Sequence, residues 1–433
     1  MRRVLFIAYL YPPIANSGTR RSLSFVNHLP DHGWQPLVLT LADPPVGVCD
    51  KTLLSEVREG TSIHRVPLGS ALMAQRMSRV FGSGALGERI GAALEWRFSA
   101  LTQVPDEVAS WYPLAVSRGV ALHRDTGFDL VYASGWPWTS FLVARAIARR
   151  TGCPYVLDYR DLWKPTGTHA WEASIRARTF LNPWLERRAA RHAAAVVTVT
   201  PTLAQMIRKD ASIDCVHCIT NGYEPADFTR SPSKEASLDA GSTIRIVYTG
   251  VWRPGYGLSD LYGAIRCLKE RRSSALLRLR VSAAGFTPGP AREFEVDDIV
   301  LELGPVPHAE VLSLMKVADA LYLPVPTGVY SKASLPGKLF EYLGSDRPII
   351  AAVPADSEVA RVIDDVGGSV RTEPGDHVEL AALLDCLCSS DPGTMFSARR
   401  PGRLARYTRD STTGMLAQVF DAAHRGVVLE PLT

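Results

Sequence analysis

Lys338 and Glu341 stand one helical turn apart, directly behind a glycine, in Ser334-Leu335-Pro336-Gly337-Lys338-Leu339-Phe340-Glu341-Tyr342-Leu343-Gly344. The pattern predicts a loop entering a helix, then a tight turn and a buried strand through Ile349, Ile350 and Ala351. Gly337 lets the backbone come close to a ligand. Lys338 adds positive charge to a first turn whose N–H groups already favour anions. Glu341 falls near the same face, where a carboxylate can accept hydrogen bonds from both hydroxyls of a ribose. Phosphate at one end and a diol at the other describe a nucleotide. The plainer reading is a solvated Lys–Glu pair on an amphipathic helix, and the spacing alone does not choose between them.

Other segments carry chemistry of the same kind. Tyr11-Pro12-Pro13-Ile14-Ala15-Asn16-Ser17-Gly18-Thr19-Arg20 leads from a first apolar strand into a helical pattern at Ser22–Leu29. Gly18 opens the backbone to an anion, and Arg20 can meet a phosphate with two parallel hydrogen bonds. Asp158-Tyr159-Arg160-Asp161-Leu162-Trp163 puts two carboxylates and a guanidinium at a strand's carboxyl end. It reads either as a metal-binding Asp-x-x-Asp or as a structural Asp–Arg pair. Ser134 and Gly135 close the run Asp129–Ala133, and Gly250 closes Ile246–Thr249 ahead of Trp252, Arg253 and Gly255.

Positioning these residues requires an alternating α/β chain. Short apolar runs alternate with helical patterns, which predicts parallel sheets built from βαβ units. The expected strands are Val4–Tyr9, Gln35–Leu41, Leu130–Ala133, Tyr155–Tyr159 and Ala195–Thr200 in the first half. In the second they are Ile244–Thr249, Leu277–Ala283, Ile299–Leu303, Ala320–Pro324 and Pro348–Val353. Between the sets lie a turn-rich segment, 219–228, and the linker-like Ser231-Pro232-Ser233-Lys234-Glu235-Ala236-Ser237. A last helical pattern covers Leu404–Ala423. The expected domains are therefore 1–220, 221–403 and a terminal helical segment 404–433.

The chain has 433 residues, 46% of them hydrophobic, enough for two ordinary cores. Residues 1–200 hold 23 Lys and Arg against 15 Asp and Glu, a net +8, whereas the remainder holds 25 against 29, a net −4. A basic front half suits an anionic partner such as a phospholipid surface or a lipid diphosphate. The excess is spread through helical patterns and forms no compact tract, which argues against nucleic acid. Seven scattered cysteines suggest a reducing compartment and no disulfide framework. Cys215-Val216-His217-Cys218 has no second ligand pair at zinc spacing and reads as a strand with inert thiols. No run approaches the ~18 apolar residues that span a membrane, and Met1-Arg2-Arg3 followed by Val4–Leu10 is too short for a signal peptide. The expected location is cytoplasmic.

Taken together, these motifs resemble the GT-B glycosyltransferases, in particular family 4 of the retaining, nucleotide-sugar-using enzymes and its polysaccharide-biosynthesis branch. The resemblance covers nearly the whole chain. It implies two Rossmann-like domains facing across a cleft, with the last helix returning to the N-terminal domain. The Lys338–Glu341 segment is similar to the family's donor-binding element, with Gly337 and Gly250 beside it. The Tyr11–Arg20 segment, with Gly18 and Arg20, is similar to the loop that contacts donor and acceptor. Arg253 stands where family members present a basic residue to the diphosphate, and with Lys338 it implies a clamp on the leaving group. Asp158–Trp163 resembles the branch's Arg-Asp-Leu-Trp motif, which makes Arg160 an acceptor-side residue and Asp161 an acceptor-side group or base. Pro105-Asp106-Glu107 with Trp111-Tyr112-Pro113 recurs in the same branch. GT-B enzymes stabilise the leaving diphosphate without a metal, so no cofactor and no metal are expected.

Two positions depart from the pattern. Ser134 occupies a place where many relatives carry a His, and Ala333 stands where the first of two spaced glutamates is usual. Gly304-Pro305-Val306-Pro307-His308 resembles the segment bordering the base, and His308 is a minor candidate. The expected function is sugar transfer from a nucleotide diphosphate sugar to a hydroxyl acceptor, a glycan or lipid-linked glycan in cell-surface polysaccharide assembly. Arg79, Arg89 and Arg97 interleave with apolar residues in the stretch 77–111, which fits either helix packing or peripheral contact with the inner membrane surface. The alternative is a non-catalytic nucleotide-sugar or glycan-binding protein on the same fold, which Ala333 and Ser134 support. A hydride-transferring Rossmann enzyme fits less well. No Gly-x-Gly-x-x-Gly follows the first strand, and Thr40 and Leu41 end the second where an acidic residue belongs.

Overall fold

The computed structural model describes residues 1–42, 49–69, 104–163, 175–229, 243–250, 258–389 and 395–432. They form two compact units, Met1–Thr220 with Arg409–Thr433 and, separately, Asn221–Thr408. Each is built on one all-parallel sheet. The first comprises β1 (Arg2–Ile7), β2 (Trp34–Leu41), β3 (Ser62–Val66), β4 (Leu130–Gly135), β5 (Tyr155–Tyr159), β6 (Ala195–Thr198) and β7 (His217–Cys218). Its order is β3-β2-β1-β4-β5-β6-β7. The second comprises β8 (Ile244–Thr249), β9 (Leu279–Ala284), β10 (Val300–Gly304), β11 (Ala320–Pro324), β12 (Ile349–Ala352) and β13 (Ser369–Thr372). Its order is β10-β9-β8-β11-β12-β13. Both sheets reverse direction of growth at their own first strand. This is the doubly wound arrangement, in which ligands sit beyond the carboxyl ends of the strands.

The central strands are continuously apolar because helices cover both faces of each sheet. Val4, Leu5, Phe6 and Ile7 of β1 are fully buried. Along β8, Ile244, Ile246 and Tyr248 belong to one core while Val247 belongs to the core on the opposite face. Beyond the ten expected strands, β7 falls in the Cys215–Cys218 run that reads as a strand, while β3 and β13 escape the sequence pattern. Both are edge strands with polar residues alternating through them, so neither shows a long apolar run. The apolar stretch from Leu277 is interrupted because Ala275–Arg278 closes a short helix before β9 begins.

The helix after β1 starts earlier than its apolar pattern suggests, at Ser17, and runs to His28. Asn16 sets this start by accepting a hydrogen bond from the Gly18 N–H at 2.9 Å. The final helix runs from Arg409 to Arg425 within the first unit, whereas Pro401–Leu404 and Ala405–Tyr407 form short helices within the second. Phe420 packs edge-on against Trp34 at 5.4 Å and lies 5.5 Å from Tyr132. Asp421 accepts from the Trp34 indole at 2.8 Å and pairs with Arg2 at 2.8 Å. Among the described residues, no helix is long and apolar enough to cross a membrane.

Candidate functional site

In the second unit the chemistry gathers at the carboxyl end of β8. The helix Gly337–Gly344 lays Leu339, Phe340, Tyr342 and Leu343 into the core. The Tyr342 hydroxyl accepts the Thr249 N–H at 2.9 Å, which pins this helix to the end of β8. Lys338 lies one turn before Tyr342 on the same face, and its ammonium sits over the Tyr248 ring, 4.0 Å from the centroid. Burial pushes the Lys338 pKa down to about 7. Among the described residues no carboxylate comes within ion-pair distance of it. The helix has no side-chain cap at its N-terminus either, and of its first-turn amides the Leu339 N–H turns back to the Pro336 carbonyl at 3.0 Å.

Backbone shape keeps this place open. Gly250 has φ 137°, in the region that favours glycine, and a Cβ there would come within 3.2 Å of the Lys338 Nζ. Its N–H donates to the Ala284 carbonyl at 2.8 Å, and the Gly285 N–H donates to Gly304 at 2.8 Å. The carboxyl ends of β8, β9 and β10 thus meet through three glycines. Gly337 is exposed with nothing within 4 Å of a Cβ position.

Glu341 lies one turn beyond Lys338, and its Oε1 is 2.9 Å from the His308 Nε2. The two side chains are 20% and 24% exposed. His308, a minor candidate from sequence, is therefore a direct partner of the carboxylate assigned to the diol. Its only sequence signal is the Pro305-Val306-Pro307 run that delivers it. Ala333 is fully buried.

In the first unit the charges are arranged differently. Asp158 is fully buried and takes two hydrogen bonds from Arg21, from Nε at 2.8 Å and Nη2 at 2.9 Å, plus one from the Tyr132 hydroxyl at 2.6 Å. The Asp–Arg pair considered from sequence exists, but Arg21 on the first helix supplies the guanidinium and Arg160 does not. Arg160 instead donates to the carbonyls of Gly135 at 2.7 Å and Trp136 at 2.8 Å. Burial lowers its pKa, against the pull of Asp161 and Asp158. Its guanidinium lies against Gly18, where a Cβ would be 1.7 Å from Nη1. Gly18, Ser134, Gly135 and Arg160 are thus brought to one place. Ser134 is buried and its hydroxyl has no partner among the described residues.

The Arg20 guanidinium pairs with Glu56 at 2.5 Å at a partly exposed position. Asp161 is exposed. Arg253 and most of the stretch 77–111 lie outside the described residues. Asp106 is a fastener: it accepts from the Thr139 N–H at 2.8 Å and the Thr139 hydroxyl at 2.6 Å at the start of helix Thr139–Thr151. Trp163 stacks on Trp138 at 5.2 Å. Cys215 and Cys218 form no disulfide, and no group of three or more His, Cys, Asp or Glu among the described residues is placed to hold a metal ion.

Two doubly wound parallel sheets in one chain, with the final helix part of the first unit, define the GT-B class. Residues 18–222 match the Glycosyl transferase 4-like domain. Over 138 residues the chain is 24% identical to a probable glycosyltransferase, WbjE, of Pseudomonas aeruginosa, covering 31% of this chain and 33% of that one. The chain thus spans about a third of the length of this curated relative. Among solved structures, the sucrose-phosphate synthase of Thermosynechococcus elongatus is similar with TM-score 0.63 at 15% identity, over 97% of this chain and 98% of that one. A glycosyltransferase from Rickettsia africae is similar with TM-score 0.56 at 13% identity, over 98% and 96%. The chain therefore has the GT-B fold, and its residues 18–222 are similar to the Glycosyl transferase 4-like domain.

Proposed function

We propose that the protein transfers a sugar, with retention, from a nucleotide diphosphate sugar to a hydroxyl acceptor. The observation that carries this reading is the Lys338 ammonium, held partly desolvated beside Gly250 with no carboxylate near it among the described residues. It is suited to an anion that arrives with the ligand. On this reading the diphosphate lies between Lys338 and the first amides of the helix Gly337–Gly344, and Glu341 accepts from the ribose. As the bond from the sugar's anomeric carbon to the leaving phosphate oxygen breaks, these groups stabilise the charge that grows there. The acceptor oxygen bonds to the same carbon on the same face, and its proton passes to the departing phosphate or to Asp161. Arg253 would add to the clamp, and Arg160 with Ser134 would shape the acceptor side.

The acceptor is proposed to be a lipid-linked glycan in cell-surface polysaccharide assembly, met at the cytoplasmic membrane face. Supporting this, the helix Ile175–Ala190 of the first unit presents Phe180, Leu181 and Trp184, which are 83%, 40% and 56% exposed. Arg188 lies over Trp184 at 5.2 Å. Arg145 has its pKa lowered by burial and by the neighbouring Arg188 and Arg149. Aromatic residues beside clustered arginines suit an anionic bilayer surface.

Calorimetric titration with UDP, GDP, ADP and TDP tests the donor assignment. Selective binding of one, weakened by about 1–3 kcal/mol in Glu341→Ala, is expected for lost charge-assisted hydrogen bonds. Binding of none would remove the donor site. A binding-only protein is the second reading, favoured by the buried methyl of Ala333 where a carboxylate is usual. Release of free nucleotide from the donor sugar separates the two, since a binder releases none.

A further inference from the structure

The loop after β10 is stiff. Gly304 accepts the Gly285 N–H at 2.8 Å, and Pro305 and Pro307 fix two backbone angles before the helix His308–Val317 begins. His308 is thereby delivered from one helix to the carboxylate of another, 33 positions along the chain, at 2.9 Å. Both side chains are about four-fifths buried, so this contact is not the solvent-screened ion pair that contributes little. A Glu side chain has several freely rotating bonds, and an imidazole N–H on one oxygen restricts them. A carboxylate offers about four acceptor positions, so an imidazole on one of them does not by itself exclude hydroxyl donors.

We propose that His308 is a positioning residue that sets how strictly the site demands a ribose. It rests on the reading of Glu341 as the ribose acceptor. By fixing Glu341 in one orientation and holding it as an acceptor, His308 makes the carboxylate discriminate a ribose from a 2′-deoxyribose. Without it, Glu341 loses one of the contacts that orient it and discriminates the two sugars less sharply.

The test is calorimetric binding of paired ligands, UDP with dUDP, ADP with dADP and GDP with dGDP, using the pair whose base binds tightest. Wild type should prefer the ribonucleotide by roughly tenfold or more, the loss expected for one hydrogen bond to a charged group. His308→Phe should lower that ratio severalfold, while His308→Gln, which keeps an N–H donor, should restore most of it. If Glu341→Ala abolishes the preference while His308→Phe leaves it intact, the inference fails and the ribose reading stands. If Glu341→Ala leaves the preference unchanged, the ribose reading itself fails and takes the inference with it. His308→Gln and Glu341→Asp keep the comparison decisive should His308→Phe fold poorly.

Discussion

The two units share a sheet order yet treat charge in opposite ways. In the first, Arg21 is bound twice by Asp158, Arg20 by Glu56, and Arg160 by two backbone carbonyls. Those cations hold the loops of their own unit together. In the second, Lys338 rests on an aromatic ring with a depressed pKa and no carboxylate near it among the described residues. A cation already paired with a carboxylate, as Arg20 and Arg21 are, adds little to anion binding, whereas a partly desolvated one gains a full partner when the anion arrives. Substitution should therefore cost stability in the first unit and ligand affinity in the second.

The largest effect is expected at Asp158. Asp158→Ala leaves the Arg21 guanidinium buried without its carboxylate and should destabilise the first unit by about 3–5 kcal/mol. Chemical denaturation followed by a probe in that unit reads this. The double change of Asp158→Leu with Arg21→Met removes both charges and should recover much of the loss. A cost below about 1 kcal/mol for Asp158→Ala would mean that the pair does not fasten the first helix to β5.

Lys338 comes next, and here the readout is binding. Lys338→Met should lose about 1.5–3 kcal/mol of nucleoside diphosphate affinity, the range for a hydrogen bond to a charged group, with little change in stability at neutral pH. Its pH dependence has a definite sign. With the free-site pKa at about 7, the ammonium is fully formed below that pH, and affinity is highest there. Above it, affinity should fall, by at most roughly tenfold per pH unit, and Lys338→Met should lose this dependence. Stability runs the other way. The folded site binds fewer protons than the unfolded chain between about 7 and the ordinary lysine value, so stability rises with pH across that window. Wild-type affinity that is flat from pH 6 to 9 would contradict the poised-cation account.

The same contrast explains how much of the molecule was legible beforehand. Parallel sheets announce themselves through long apolar runs, so ten of the strands could be placed from hydrophobicity alone. The edge strands β3 and β13 could not, since one side of each lacks a neighbour and tolerates Arg65 and Arg371. Lys338 and Glu341 were legible because helical spacing places both near one face. Arg21 was not distinguishable from Arg20, because adjacent residues on a helix look alike in sequence until the sheet decides which one points inward. His308 meets Glu341 across 33 positions, a tertiary contact that no local pattern encodes. The approach of Arg160 to Gly18 is hidden for the same reason.

Two glycines offer the smallest and sharpest form of the comparison. Both begin a helix near a proposed anion site, and sequence reasoning assigned them the same freedom. Gly18 is closed in, since a Cβ would stand 1.7 Å from the Arg160 Nη1, so Gly18→Ala must displace that guanidinium. A cost of about 1–3 kcal/mol is expected, as for an overpacked site. Gly337 has nothing within 4 Å of its Cβ position and no positive φ, so Gly337→Ala should leave stability unchanged or raise it by up to about 1 kcal/mol through a stiffer unfolded chain. What Gly337→Ala should change is the approach of a diphosphate to the first amides, seen as weaker nucleotide binding in a fully folded protein. Equal thermal shifts for the two variants would show that both glycines serve only the fold, and the division between a self-neutralised unit and a poised one would lose its simplest support.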